Sequence, residues 1–174
     1  MVDKRRPAAG RGWRLDETVR AEALAAYDLT TLAGSAALRR ITDFAGALCD
    51  TPVALVSLVE EHIQCFVSRT GTELIATPRD MSFCQFAMLG DDVMVVPDAL
   101  NDPRFADTAL VTGEPYIRFY AGAPLISDAG VPLGALCVID TKPREGLTPL
   151  QHQGLLVLAA DVMSRFRAIE AGRR

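Results

Sequence analysis

The chain has 174 residues, 49% hydrophobic and 23% charged, an ordinary soluble composition expected to bury about 70% of its unfolded surface. Net charge is −4, yet residues 1–14 carry five cations against one anion, so the rest is clearly acidic. Nucleic-acid binding needs clustered Lys and Arg on a folded surface, and this balance argues against it. No apolar run is long enough to cross a bilayer, and none follows Lys4, Arg5 and Arg6 as a secretory signal would require. The expected location is the cytoplasm, with no membrane partner.

Residues 1–14, rich in Pro, Gly, Ala and Arg, read as a disordered basic tail. Residues 15–34 read as an N-terminal helix and connector, with Asp16 as N-cap, acidic Glu17 in the first turn and helix through about Tyr27. Ser35 caps a second helix through about Leu48, whose Leu38, Ile41, Ala45 and Leu48 share one face. Ala54–Glu60 and Ile63–Ser68 follow as a strand hairpin turning at Glu60, Glu61 and His62.

Ser82 and Gln85 have the spacing of a capping box at the start of a short helix, which puts Cys84 in its first turn. Val93–Val96 reads as a strand ended by Pro97. The connection over 97–116, with Asp102 and Pro103 starting one short turn, has the length of a lid or binding loop. The apolar runs Phe119–Ile126 and Val131–Ile139 then flank Ser127, Asp128, Ala129 and Gly130, a turn in which Gly130 supplies a positive φ. Both runs are nearly continuous, so this hairpin belongs at the centre of a sheet covered on both faces. Thr148, Pro149 and Gln151 start a last helix that runs to about Ile169. Leu155, Leu158, Ala159, Val162, Phe166 and Ile169 line one face. A second strip of Leu156, Ala160 and Met163 suggests burial against a second copy. Residues 170–174 read as a tail.

Terminal helices around an antiparallel sheet indicate an α+β fold. The four cysteines, 16, 19 and 53 residues apart, and the two histidines match neither a disulfide framework nor a zinc pattern.

Five stretches together resemble a GAF domain over 35–169: Ser82-Phe83-Cys84, Val95–Ala99, Asp102–Phe105, Phe119–Leu125 and Gly134–Asp140. GAF domains are small-molecule sensing modules, and these motifs resemble those found ahead of bacterial histidine kinases and diguanylate cyclases. The resemblance implies a central antiparallel sheet with terminal helices on one face, and a short helix plus long loop covering a pocket on the other. It also implies dimerisation through terminal helices. With nothing after Arg174, it implies a stand-alone module or a separate output protein. The specialised subfamilies match poorly. Asn101, Phe105 and Asp107 only loosely echo the cyclic-nucleotide pattern, Cys84 is followed by Gln85 where bilin-binding members usually have His, and His152 lies at the start of the last helix rather than at a haem-proximal position. The Gly-rich cysteine context of free methionine sulfoxide reductases is missing.

The candidate ligand-binding residues are Ser57, Phe83, Cys84, Phe105, Arg118, Phe119, Tyr120 and Cys137. Cys84, in the first turn of a helix, has the setting of a stabilised thiolate; an inert thiol packed beside Phe83 is the plainer reading. The aromatic residues suit stacking on a planar ligand, or simply a core. Arg118 suits a ligand carboxylate or phosphate, or an acidic neighbour such as Asp98 or Glu114. Ser57, alone among apolar neighbours, either faces the pocket or bonds locally. No catalytic or metal-binding constellation is visible, so the chain reads as non-enzymatic, with the cofactor unknown. The leading expectation is a cytoplasmic sensory module that binds an unidentified small molecule and signals through the helices of a homodimer. The alternatives are a thiol-based redox sensor or enzyme centred on Cys84 and a ligand-free dimerisation scaffold.

Overall fold

The computed structural model describes residues 16–172; the basic tail assigned to 1–14 and the last two residues lie outside it. Helices α1 (Glu17–Ala25), α2 (Leu29–Ala33) and α3 (Ala36–Cys49) lead into strands β1 (Val53–Val59), β2 (Ile63–Thr70) and β3 (Ala76–Pro78). A 3₁₀ turn at Arg79–Met81 precedes the short helix α4 (Cys84–Ala87), strand β4 (Met94–Val96) and helix α5 (Ala109–Thr112). The hairpin β5 (Phe119–Ile126) and β6 (Pro132–Asp140) and the long helix α6 (Pro149–Ala171) complete the order. The six strands form one antiparallel sheet in the order β3-β2-β1-β6-β5-β4.

Local chemistry sets the helix starts. Asp16 accepts from the Thr18 amide at 2.9 Å and Ser35 from the Leu38 amide at 3.3 Å, so each satisfies a donor that the first turn leaves unpaired. Thr148 and Gln151 exchange both bonds of a capping box, at 3.2 and 2.9 Å. Gly130 has φ +82°, as the turn between β5 and β6 requires. Two elements add to the expected order. The three-residue β3 ends in proline, and α2 is a single turn capped by Asp28 (Thr30 amide to Oδ1, 3.1 Å) inside the expected connector. The 97–116 connection is also more structured than a bare loop, since it holds a 3₁₀ turn at Ala99–Asn101 and α5.

The sheet is buried on both faces. On one side Ala54, Val56, Leu58, Phe119, Ala121 and Val138 pack against α3 and α6 through Leu38, Ile41, Ala45, Leu155, Val162 and Phe166. On the other, Leu55, Val59, Phe66, Tyr120, Ala135 and Cys137 meet the cover formed by 79–117 through Phe83, Cys84, Met88, Phe105, Val111 and Ile117. Phe119 therefore belongs to the helix side, which corrects its assignment to the pocket: neighbours on a strand point to opposite faces, and Tyr120 holds the cover side. Part of the second α6 strip is used within the chain, where Met163 is buried, Leu156 half-buried and Ala160 exposed.

Two arginines clamp the layers. The buried Arg20 guanidinium donates to the Pro132 and Val59 carbonyls and pairs with Glu17, fastening α1 to the sheet. Arg144 donates to the Cys49 carbonyl at 2.8 Å and to that of Asp50, pairs with Asp140 at 2.5 Å and lies over the Phe119 ring. It thus joins the end of α3 to the end of β6. Burial pushes the Asp140 carboxyl up, but Arg144 and the amides of Lys142 and Thr141 outweigh it and hold the group below its ordinary value. A group with a depressed folded pKa stabilises the fold fully above its unfolded value and loses that contribution as pH falls through the folded value. We expect Arg144→Ala to lower the unfolding free energy by about 2–4 kcal/mol, because it leaves a mostly buried carboxylate unpaired. Urea titrations against pH should show acid destabilisation of the native chain below about pH 4, and a smaller loss over the same range in the variant, where the carboxyl is no longer held below its unfolded value.

Candidate functional site

The cover and the sheet meet in an aromatic stack. Phe83 lies between Phe105, with centroids 4.0 Å apart and 16° between planes, and Tyr120, at 5.1 Å and 25°. Phe86 sets its edge on Phe105 at 5.4 Å, and the Arg104 guanidinium sits 4.9 Å from the Phe105 ring centre. Tyr120 needs the glycine two residues on, because a Cβ at Gly122 would fall 2.3 Å from the Tyr120 hydroxyl and 2.8 Å from its ring. That hydroxyl donates to Cys84 Sγ at 3.1 Å, and Cys84 Sγ lies 3.8 Å from Cys137 Sγ.

Beside the stack is a polar hub built on Gln64 of β2. Its carbonyl oxygen accepts from Ser57 Oγ at 2.9 Å and Ser82 Oγ at 2.8 Å, and its amide donates to Thr77 Oγ1 at 2.7 Å. All four residues are buried, and in a water-poor interior such a network holds its members in one arrangement. Ser82 also accepts from the Gln85 amide at 3.1 Å, which is half of the expected capping box. The Gln85 side chain turns instead to the Arg79 carbonyl at 2.9 Å.

Stack and hub enclose a cavity of about 150 Å³ between sheet and cover. Its walls are mainly Leu55, Phe66, Phe83, Ile117, Tyr120 and Ile139, with Gln64, Thr77, Cys84 and Cys137 as the polar or polarisable points. No lysine or arginine lines it. The one carboxylate there, Asp140, is already paired with Arg144. A larger hollow of about 380 Å³ runs between α6 and the β5–β6 turn. The thiol pair, Tyr120 and the buried hub all belong to the smaller space, and this decides the candidate site.

Of the eight residues proposed from sequence, the structure brings Phe83, Cys84, Tyr120 and Cys137 to the cavity. Phe105 stacks behind Phe83, one layer away. Ser57 faces the same side but spends its hydroxyl on Gln64. Phe119 is on the opposite face, as described above. Arg118 does not line the cavity and meets neither proposed carboxylate: it donates to the Val111 and Ile117 carbonyls at 2.9 and 3.0 Å, securing α5. The residues missed, Gln64 and Thr77 above all, lie in β2 and the short β3. The available signal was Gln64 two places before Phe66, a polar residue on the same strand face as a large apolar one.

The thiols differ in character. The Cys137 thiol, with smaller help from the Tyr120 hydroxyl, holds Cys84 below the ordinary thiol value against the effect of burial. Its contact with Cys84, together with burial, pushes the Cys137 thiol up. Burial raises the Tyr120 hydroxyl, and the adjacent thiols add to the rise. Burial takes Cys49 and Cys65 to about 11. Among the described residues no group of three or more His, Cys, Asp or Glu is arranged to hold a metal ion. His152 meets Asp92 at 2.7 Å rather than lining the cavity.

The GAF domain family model matches residues 34–165. The chain belongs to the GAF domain family. A cyclic di-GMP phosphodiesterase of Pseudomonas aeruginosa is 48% identical over 114 residues, 63% of this chain and 19% of that protein. The chain thus spans about a fifth of the curated relative's length. Among solved structures, the GAF domain region of a Geobacter sulfurreducens protein superposes with a TM-score of 0.62 at 16% identity, covering 84% of this chain and 99% of that one. A free methionine-R-sulfoxide reductase from Neisseria meningitidis, in complex with its substrate, gives 0.61 at 18% identity, covering 80% and 84%. At such identities these two likenesses show the shared fold alone.

The hub offers a direct test of the site's construction. Gln64→Leu leaves the Ser57, Thr77 and Ser82 hydroxyls without their shared partner, and we expect a loss of about 2–4 kcal/mol in urea unfolding. Val95→Ala, which trims a half-buried strand residue but leaves the hub untouched, should cost less than half as much.

Proposed function

We propose that this GAF domain is a cytoplasmic, non-catalytic regulatory module that senses a small, uncharged and largely apolar molecule in the cavity between sheet and cover. The observation that carries this reading is the wall chemistry. An anionic ligand such as a cyclic nucleotide needs cationic or convergent amide donors, and the cavity has apolar walls with a few neutral hydrogen-bonding points. Its volume of about 150 Å³ suits a molecule of roughly the size of a small aromatic or short aliphatic compound.

The output is regulation of a signalling protein. In the Pseudomonas relative the matching stretch is a minor part of a cyclic di-GMP phosphodiesterase, which supports a role for this module in controlling cyclic di-GMP turnover rather than in binding that nucleotide here. No described helix is long and apolar enough to cross a membrane, in keeping with action in the cytoplasm. Homodimerisation through α3 and α6 is supported by Phe44 and Val157, which are 58% and 66% exposed on these helices. A ligand shifts such a module only by binding its two states unequally, and the cover over 79–117, resting on the ligand space, is the element whose position would differ.

Native mass spectrometry of the purified protein, followed by a thermal-shift screen of small neutral compounds, tests this reading. A bound ligand at a hundred times its Kd stabilises by about 2.7 kcal/mol, a Tm rise of several degrees. We expect that rise with neutral apolar compounds and none with cyclic di-GMP or cyclic GMP. Ile139→Trp, which fills the cavity from a half-buried position, should abolish it. Stabilisation by the nucleotides alone, or none by any compound, contradicts the proposal.

A further inference from the structure

Cys84 and Cys137 are 53 positions apart in sequence, yet their sulfurs are 3.8 Å apart across the boundary between cover and sheet. Both are free thiols and both are buried. Each also lines the cavity, so a small molecule that enters it comes to lie beside them. The other two cysteines lack this setting: Cys49 sits in the helix-side core, and Cys65 Sγ donates to a Glu60 carboxylate oxygen at 3.2 Å.

We propose that Cys84 and Cys137 form a two-electron redox pair which a small hydroperoxide entering the cavity converts to a disulfide, tying the cover to the sheet. In the first step Cys84 Sγ attacks the outer peroxide oxygen. The S–O bond forms, the O–O bond breaks, and the displaced oxygen leaves as water or alcohol with the proton from the Cys84 thiol. Cys137 Sγ then attacks the Cys84 sulfur. The S–S bond forms, the S–O bond breaks, and hydroxide leaves as water with the Cys137 proton. Each sulfur loses one electron overall and the peroxide gains two.

The surroundings suit these roles. The Tyr120 hydroxyl donates to Cys84 Sγ, an interaction that favours the thiolate as nucleophile, and the lowered Cys84 thiol against the raised Cys137 thiol supports the order of attack. A disulfide is about 2.05 Å long, so closure asks the sulfurs to approach by roughly 2 Å. Cys84 is carried by the four-residue α4, whereas Cys137 is fixed on β6 between β1 and β5. The movement therefore falls on the cover. The pair needs no bound ligand, so this inference and the sensing of a neutral molecule fail or stand separately.

Hydrogen peroxide treatment of the full chain, alkylation and digestion without reductant provide the test. We expect a peptide linking Cys84 to Cys137 and an intact mass lower by two hydrogens, both reversed by dithiothreitol, while Cys49 and Cys65 remain alkylatable. The link should form faster in the folded chain than in urea. Cys137→Ser should stop at a sulfenic acid on Cys84 that dimedone captures, and Tyr120→Phe should slow the link about fivefold. Oxidation of Cys49 or Cys65 while Cys84 and Cys137 stay free would overturn the proposal, as would a link that forms no faster folded than unfolded. Both of those readouts use the native sequence, so they hold even if a variant fails to fold.

Discussion

A sheet buried on both faces must divide its side chains between two cores, and strand alternation makes that division strict. In this chain the constraint is sharpest on β5, where Phe119 packs under Arg144 on the helix side and Tyr120 points into the cover. Shifting the register by one residue would put a phenylalanine against Cys84 and lose the Tyr120 hydroxyl from it. The aromatic stack, the thiol pair and the cavity all depend on β5 and β6 keeping their observed register, with Gly122 opposite Cys137 and leaving room for the tyrosine ring.

Besides its apolar packing and the short β4–β5 ladder, the cover is joined to the rest of the molecule by a few polar contacts. Ser82 reaches down to Gln64, and Tyr120 reaches up to Cys84. At the margin, Arg79 forms a two-pronged pair with Glu17 of α1, both contacts 2.9 Å, and also donates to the Glu60 carbonyl at 3.1 Å. Glu17 in turn pairs with Arg20, which holds the ends of β1 and β6. Cover, first helix and sheet thus meet through one contiguous set of charged groups. Its members are few and geometrically demanding, which is the kind of junction at which a small displacement of the cover changes contacts on α1.

Much of this architecture was legible because it is written locally. The caps at Asp16, Ser35 and Thr148, the turn at Gly130 and the two unbroken apolar runs each follow from neighbours in sequence, and the helix and strand bounds agree to within a few residues. The site was only partly legible. Alternation groups residues by face, but nothing in the sequence says which face meets the helices, so Phe119 and Tyr120 both read as pocket residues although the pocket can hold only one of them. Arg118 looked like a ligand contact because guanidinium groups suit carboxylates; its actual partners are backbone carbonyls, which carry no signature in a sequence. Gln64, Thr77, Ser57 and Ser82 come from four separate segments, and their meeting depends on register. The pairing of Cys84 with Cys137 is likewise a long-range consequence of folding.

The space between Phe83, Tyr120, Leu55 and Ile117 is an open, apolar room and not a gap that the aromatic side chains close. Dry apolar cavities of about this size take up xenon. A crystal of the protein pressurised with xenon is therefore the most direct measurement. An ordered xenon atom is expected between sheet and cover beside Phe83 and Tyr120, and is expected to be lost in Ile139→Trp. A cavity collapsed onto its own rings, with xenon bound elsewhere or not at all, would contradict it and favour a ligand-free scaffold.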